Sequence, residues 1–245
     1  MAKKKSNLPT VKTTYNSFWD SFILRSNGLM VLPKHNPFIC TEDKGIIKVV
    51  LSEPIHFVGL PYKSTSTKSE KTIDVLINSS EEIYGETLHV ERSRVHVSYF
   101  DVKNRGGGNS KKDELAVPIE SIHYDFDIKQ DKAHPLFHAQ YCLNIIEKEI
   151  RDKSSSFKKY NVQPESLGDD RIQHLKIPTA HMSLFSVLIC ICADHTASKL
   201  PDLLKVLIGA YLEISTMPKA EIKTIYDKIG KYKSFKSMHW YSESA

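Results

Sequence analysis

The sequence lacks the motifs by which many enzyme classes are recognised. Its 245 residues contain no Walker phosphate loop, no dinucleotide-binding glycine fingerprint, no nucleophile elbow and no paired-cysteine zinc framework. The four cysteines are scattered along the chain, as is typical of small hydrophobic residues in a reducing cytoplasm. No reaction follows from a motif, and we predict neither a cofactor nor a bound metal.

Long hydrophobic runs are also missing. The most apolar stretch, residues 184–193 (LFSVLICICA), is much shorter than the roughly 20 residues that a membrane-spanning helix needs. Lys3, Lys4 and Lys5 are not followed by an apolar segment, so the N-terminus does not look like a secretory signal. We therefore predict a cytoplasmic protein without a membrane partner, in which residues 184–193 form a buried helix.

The composition is that of an ordinary globular protein, with 40% hydrophobic and 26% charged residues. The length allows one or two domains at the usual size of roughly 100–200 residues each. We predict a single domain at 13–245, preceded by a flexible basic segment at 1–12. The formal net charge of +5 is compatible with a nucleic-acid partner but does not require one.

The spacing of apolar residues predicts an α+β fold that begins with a helix from about Thr13 to Arg25, where apolar and aromatic residues recur at helical intervals. Residues 29–178 predict a central antiparallel sheet. Short runs such as 72–77 and 94–100 alternate with the period of two that is typical of half-buried strands. The middle of the chain is therefore expected to be rich in sheet.

The C-terminal part of the chain, residues 179–236, predicts three helices. The first covers about 184–195 and has Thr179 or Ser183 as its N-cap. Pro201 stands where the second helix would begin, because proline is tolerated in a first helical turn. The order of helix, many strands and three helices indicates the α+β class rather than a βαβ repeat.

The segment HYDFD at 123–127 and the segment HPLFHAQ at 134–140 bring several reactive side chains close together in sequence. Residues two apart share one face of a strand, so His123, Asp125 and Asp127 are expected on one side. We predict that the next strand runs antiparallel and brings His138 opposite an aspartate. These four residues are the candidate catalytic residues, because imidazole and carboxylate groups suit transition metals.

Two interpretations of this cluster remain open. It is either an ordinary amphipathic strand with a solvated edge, which is what alternation commonly means, or a metal-dependent catalytic centre. The spacing of the four residues matches no closed metal-binding motif. The structural interpretation is therefore the favoured one.

A second polar group surrounds the first predicted C-terminal helix and consists of Thr179, His181, Asp194 and His195. Helix capping and the helix dipole account for polar and basic residues at these ends. His195 is expected to bond a backbone carbonyl there. A catalytic role would require these side chains to meet the face that carries residues 123–140.

Basic residues interleaved with aromatic residues provide candidate contacts to nucleic acid, since lysine and arginine bind phosphates and aromatic rings stack on bases. The candidates are Lys103, Arg105, Lys111, Lys112, Lys231 and Lys233. The same residues would also suit any solvated surface.

The segments HYDFD, HPLFHAQ and KIPTAHMSLFSVLICICADH resemble a pattern found in uncharacterised bacterial proteins that accompany mobile elements and anti-phage gene clusters. The resemblance covers about residues 120–200 and brings no assigned catalytic residues. It implies a cellular context and no mechanism. Together with the missing catalytic motif and the basic loops, it leads us to predict a non-catalytic accessory subunit of a bacterial complex that acts on foreign DNA, with other protein subunits as partners. A metal-dependent nuclease or phosphodiesterase, and a stand-alone nucleic-acid-binding module, are the alternatives.

Overall fold

The structure is a computed structural model that describes residues 6–26, 29–63, 70–86, 88–104, 114–127, 137–141, 148–163, 176–178 and 183–196. Within these ranges the chain forms three helices and ten strands. They are α1 (Leu8–Arg25), β1 (Met30–Leu32), β2 (Phe38–Asp43), β3 (Ile46–Leu51), β4 (Ile55–Lys63), β5 (Glu70–Tyr84), β6 (His89–Lys103), β7 (Leu115–Asp127), β8 (Phe137–Tyr141), α2 (Lys148–Lys153), β9 (Asn161–Val162), β10 (Lys176–Pro178) and α3 (Leu184–Thr196).

One sheet contains all ten of these strands. Its main path runs in the order β1, β4, β5, β6, β7, β8 and β10. β3 lies beside the far end of β5 with β2 outside it, and β9 lies beside the start of β7. Among the described strands, only β9 and β7 pair in parallel. β5, β6 and β7 have 15, 15 and 13 residues and form the long centre of the sheet.

The predicted α+β class with three C-terminal helices is wrong. The described chain is mostly a large antiparallel sheet, and α3 is the one helix that it contains within 179–236. Residues 197–236, where the other two helices were expected, lie outside the described residues. The strands are longer than their apolar runs, because β5 continues through the polar residues 78–82 as far as Tyr84.

α1 begins at Leu8, earlier than the predicted start near Thr13. Pro9 lies in its first turn, where the missing N–H costs no helical hydrogen bond. Residues 8–12 are therefore helical and do not belong to a flexible N-terminal segment. Residues 1–5 lie outside the described part of the chain.

α1 and α3 contribute to one hydrophobic core with one face of the sheet, which we call the helix face. Phe18 and Trp19 of α1 are buried, and the Phe18 ring meets the Phe185 ring of α3 edge to face at a centroid distance of 4.3 Å. The sheet contributes Val75 and Val97, which are also buried. Since each large apolar side chain contributes about 1.5–3 kcal/mol on burial, this face is a major source of stability.

A buried carboxylate explains why β5 continues through its polar residues. Glu81 points to the helix face and is 3% exposed. Its oxygens accept hydrogen bonds from the Tyr15 hydroxyl, from the Ser93 hydroxyl at 3.5 Å and from the Leu184 N–H at 3.4 Å. Burial raises the pKa of Glu81, although the three donors oppose the shift. This interior polar residue joins α1, β6 and α3 to β5.

Ser183 is the N-cap of α3, which confirms one of the two predicted caps. Its Oγ accepts a hydrogen bond from the Ser186 N–H at 3.3 Å, and its carbonyl accepts one from the Val187 N–H at 3.0 Å. Thr179 lies outside the described residues. In the part of the chain that the structure describes, no helix is both long enough and apolar enough to cross a membrane.

The opposite face of the sheet, which we call the loop face, carries a second and smaller core. Phe157 and Tyr160, from the turn after α2, pack with Leu76 and Phe100 of the sheet. The Phe157 and Phe100 ring centroids are 4.7 Å apart. Beyond this core, toward β8, the loop face bears the polar side chains that include His123.

Candidate functional site

The predicted antiparallel return of the chain beside β7 is confirmed. In the register of β7 with β8, Asp125 lies opposite His138, and His123 lies opposite Gln140. Directly opposed positions in an antiparallel pair are close neighbours on the sheet. The backbone therefore brings the positions of His123, Asp125 and His138 together, although the connection at 128–136 lies outside the described residues.

On its other side β7 pairs with β6, which contributes side chains that the sequence analysis missed. His96 lies opposite His123, and His123 Nε2 is 2.9 Å from His96 Nδ1. The two rings are nearly perpendicular, at 89°, with centroids 4.1 Å apart. His96 Nε2 is 2.6 Å from Ser121 Oγ, which is 2.6 Å from Ser98 Oγ. We call these four residues the His96 cluster.

Burial fixes the charge state of the His96 cluster. Together with a smaller contribution from His123, it lowers the pKa of His96 from 6.5 to about 3, so the ring is neutral at pH 7. One set of donors satisfies the contacts. His123 Nε2–H donates to His96 Nδ1, His96 Nε2–H donates to Ser121 Oγ, and the Ser121 hydroxyl donates to the Val97 carbonyl at 3.3 Å. His96 takes part in this chain of hydrogen bonds as a neutral ring.

Asp125 forms an ion pair across the strands. Arg94 Nε is 3.7 Å from Asp125 Oδ1, and the Arg94 side chain is 65% exposed. A second pair, Arg92 with Glu82, has its closest charged atoms 3.8 Å apart. Surface ion pairs of this kind stabilise a protein by about 0–1 kcal/mol. Their main effect is to give this part of the loop face matched positive and negative charges.

The catalytic role predicted for His123, Asp125, Asp127 and His138 stays a prediction. Of these, the structure describes the side chains of His123 and Asp125, while those of Asp127 and His138 lie outside the description. Within the described residues, no group of three or more histidine, cysteine, aspartate or glutamate side chains is placed to hold a metal ion.

Asp194 and His195, the described members of the second polar group, do not join the His96 cluster. α3 packs on the helix face, whereas His123 lies on the loop face. The capping bond predicted for His195 at the C-terminus of α3 is not the one observed: His195 Nδ1 is 2.8 Å from the carbonyl oxygen of Pro61 in β4. Asp194 is exposed, and His181 lies outside the described residues.

Of the candidate nucleic-acid contacts, the structure describes Lys103, which is exposed at the end of β6. The others lie outside the described residues, namely Arg105, Lys111, Lys112, Lys231 and Lys233. Contact with nucleic acid therefore stays a prediction.

The signal that identifies His96 was present in the alternation of RVHVSYF at 94–100. Val95 and Val97 point to the helix face, so Arg94, His96 and Ser98 must point to the other face. The residues of β6 do not themselves indicate that its pairing partner is β7. His96 and His123 are 27 positions apart, and only the strand register brings them together.

Comparisons of the chain with protein-family models, with curated proteins and with solved structures found no match. The functional proposals below rest on the geometry of the described residues and on the sequence resemblance.

Proposed function

We propose that this protein is a cytoplasmic accessory subunit of a bacterial complex that acts on foreign DNA, and that its loop face binds a protein partner. The observation that carries the proposal is the His96 cluster, whose described side chains hydrogen-bond one another within the sheet. The resemblance of residues 120–200 to proteins of anti-phage gene clusters supports the cellular context.

The chemistry of the His96 cluster favours binding over catalysis by these residues. A histidine that acts as a general acid or base exchanges a proton near the working pH. His96 is held neutral down to a pKa of about 3, and both of its ring nitrogens have a partner. Side chains with these properties hold β6 and β7 in register. The neighbouring Arg94 and Asp125, whose side chains are 65% and 23% exposed, are the groups that a partner can recognise by charge.

The charges around the cluster favour a protein partner over a nucleic acid. Arg94 pairs with Asp125, and Arg92 pairs with Glu82, so both signs of charge lie side by side. A phosphate backbone would meet the two carboxylates as well as the two arginines. A protein surface with complementary charges avoids this repulsion.

The test is co-purification after co-expression with the products of the neighbouring genes. Arg94→Glu places two like charges side by side, so we expect clearly less recovered partner at an unchanged melting temperature. The charge-swapped variant Arg94→Glu/Asp125→Arg restores an ion pair within the chain but exchanges the positions of the two charges. If it still fails to recover the partner, the cause is lost contact with the partner and not loss of the ion pair. Lys12→Glu, on the exposed side of α1, is the matched control.

Unchanged recovery of the partner with Arg94→Glu would remove the loop face from the proposal. Metal-dependent cleavage of DNA by the wild type that is lost in Asp125→Asn would contradict it outright. That result would support the nuclease alternative.

A further inference from the structure

Another histidine lies on the loop face, apart from the His96 cluster to which the proposed binding role is assigned. His56 of β4 and Asp74 of β5 are both fully buried, with His56 Nε2 at 3.0 Å from Asp74 Oδ2. His56 Nδ1 is 2.7 Å from Ser156 Oγ, in the turn after α2. The Gly59 N–H donates to Asp74 Oδ1 at 2.8 Å. We call Ser156, His56 and Asp74 the Ser156 cluster.

The hydrogen bonds of this cluster fix the position of each proton. The Asp74 carboxylate only accepts hydrogen bonds, so it takes one from the Gly59 N–H and one from His56 Nε2–H. In the neutral imidazole, His56 Nδ1 then carries a lone pair. The Ser156 hydroxyl therefore donates to Nδ1, which is placed to accept its proton.

A purely structural link between the turn and the sheet would need only the bond from Ser156 to His56. Burying a carboxylate behind the imidazole adds a desolvation penalty of several kcal/mol. What the carboxylate provides is a fixed ring orientation and stabilisation of the imidazolium that forms when the ring takes a proton. These are the requirements of a base that activates a hydroxyl group.

The surroundings of the cluster suit a reactive serine. Ser156 is half-buried, whereas the base and the carboxylate behind it are fully buried. The Phe157 and Tyr160 rings meet the His56 ring edge to face, with centroids at 5.3 Å and 6.1 Å, and they exclude water from that side. The buried Ser154 hydroxyl lies 3.3 Å from Ser156 Oγ and is a nearby donor.

An unpaired donor lies in α2, shortly before the same turn. Arg151 Nε is buried and has no hydrogen-bond partner among the described residues, while the Arg151 carbonyl accepts a hydrogen bond from the Ser154 N–H at 2.9 Å. Buried polar atoms are nearly always paired, and a guanidinium N–H pairs best with an anionic oxygen. A cationic donor near this turn that has no partner among the described residues points to a ligand with an oxygen that is negative or becomes so.

We propose that Ser156 is an activated nucleophile that accepts the acyl group of a carboxylic ester, with His56 as its base and Asp74 as the residue that positions the base. The activity is additional to the proposed binding role and uses none of the same residues. Either proposal can therefore fail without the other.

In the first step Ser156 Oγ bonds to the carbonyl carbon, the carbonyl π electrons move to the carbonyl oxygen, and His56 Nδ1 takes the serine proton. The intermediate collapses, the bond to the alkoxide breaks, and the departing oxygen takes the proton from His56. Water then repeats the sequence, giving its proton to His56 and its oxygen to the acyl carbon. The carboxylic acid leaves, and Ser156 recovers its proton.

The two ring nitrogens exchange the roles that they have in the familiar serine protease triad, where Nε2 is the base and Nδ1–H faces the carboxylate. Here Nδ1 is the base and Nε2–H faces Asp74. Either nitrogen of a neutral imidazole can serve, because the hydrogen bond at one nitrogen decides which one carries the proton.

The experiment treats the purified full-length protein with a fluorophosphonate probe and maps the modified residue by peptide mass spectrometry. We expect modification at Ser156, because the base at His56 activates its hydroxyl group. Ser156→Ala should abolish the labelling and reduce hydrolysis of 4-nitrophenyl butyrate at least about tenfold. Ser155→Ala, which removes the adjacent exposed hydroxyl, is the matched control and should label like the wild type.

The proposal is overturned if wild-type protein with a cooperative thermal transition carries no label at Ser156. It is also overturned if Ser155 and Ser156 react equally. Either of these outcomes would leave the Ser156 cluster as an anchor for the turn. The binding role, which is tested by partner recovery, would be unaffected.

Discussion

The two histidine clusters of the loop face occupy the same sheet and differ in what stands beside the ring. His96 has another histidine and a serine as its partners, and its pKa is lowered to about 3. His56 has a carboxylate on one nitrogen and a hydroxyl on the other. Leu76, opposite both His56 and Ser98 in the strand register, separates the clusters. The comparison teaches that the groups beside an imidazole ring decide whether it is inert or placed to accept a proton.

The largest expected effect comes from removing the carboxylate behind His56. Asp74→Ala leaves the His56 N–H and the Gly59 N–H without their acceptor, and breaking a buried pair of this kind costs about 3–5 kcal/mol. Urea denaturation measures the loss. Asp125→Ala, which removes a partly exposed carboxylate near the other cluster, should cost at most about 1 kcal/mol. Equal losses would erase the distinction between the clusters.

The next effect is a loss of stability in acid that originates at His96. Its pKa is about 3 in the folded protein and 6.5 in the unfolded chain, so between these values the unfolded chain binds the additional proton. The free energy of unfolding therefore falls as the pH falls from 6.5 toward about 3. The slope from this one group cannot exceed about 1.4 kcal/mol per pH unit.

Urea denaturation of the wild type and of His96→Gln, from neutral pH down to about pH 4, measures this contribution. The variant should lose stability less steeply. If both proteins decline in parallel, other groups are responsible for the acid sensitivity, and His96 is not held neutral as described above.

A smaller effect is expected from the serine that ends the histidine chain. Ser121→Ala removes the acceptor of His96 Nε2–H, and an unpaired donor that is mostly buried costs about 1–3 kcal/mol. Ser155→Ala, at an exposed hydroxyl bonded to Glu53, serves as the reference and should be nearly neutral. Thermal denaturation of the two variants measures both losses of stability. A neutral Ser121→Ala would show that His96 finds another acceptor.

The smallest effect concerns the ion pair between Arg94 and Asp125. A double-mutant cycle with Arg94→Ala and Asp125→Ala should give a coupling energy of about 0.2–1 kcal/mol, because the guanidinium is largely exposed. High salt should reduce it further. A coupling above this range that also resists salt would show that the pair is desolvated and has a structural role.

The parts of this site that the sequence predicts are those with a local signal. The alternation in HYDFD and the polar face of HPLFHAQ predict the antiparallel pairing of β7 with β8 and an aspartate opposite His138, which the structure identifies as Asp125. The pairing of β6 with β7 carries no such signal, so His96 was missed. The sheet content was underestimated because Glu81 is a polar residue pointing inward, and its partners Tyr15 and Leu184 come from distant parts of the chain.

The Ser156 cluster could not be predicted for the same reason. His56 and Asp74 are 18 positions apart, and Ser156 is 100 positions beyond His56, so no short motif contains them. The available hints were a histidine and an aspartate inside apolar strand runs, IHFVGL and TIDVLI, where a polar residue requires a buried partner. The serine itself lies in a polar stretch that the sequence presents as an ordinary connection.

The turn that carries Ser156 is far along the sequence from the strands it contacts, and this separation also sets the order in which they fold. Its bonds to His56 and Glu53 close segments of 100 and 102 positions, and contacts between residues so far apart in sequence form late because the chain entropy must be lost first. During synthesis, β4 and β5 leave the ribosome well before this turn does. We expect Phe157 and Ser156 to dock onto a sheet that has already formed, so that the nucleophile meets its base in one of the last steps of folding.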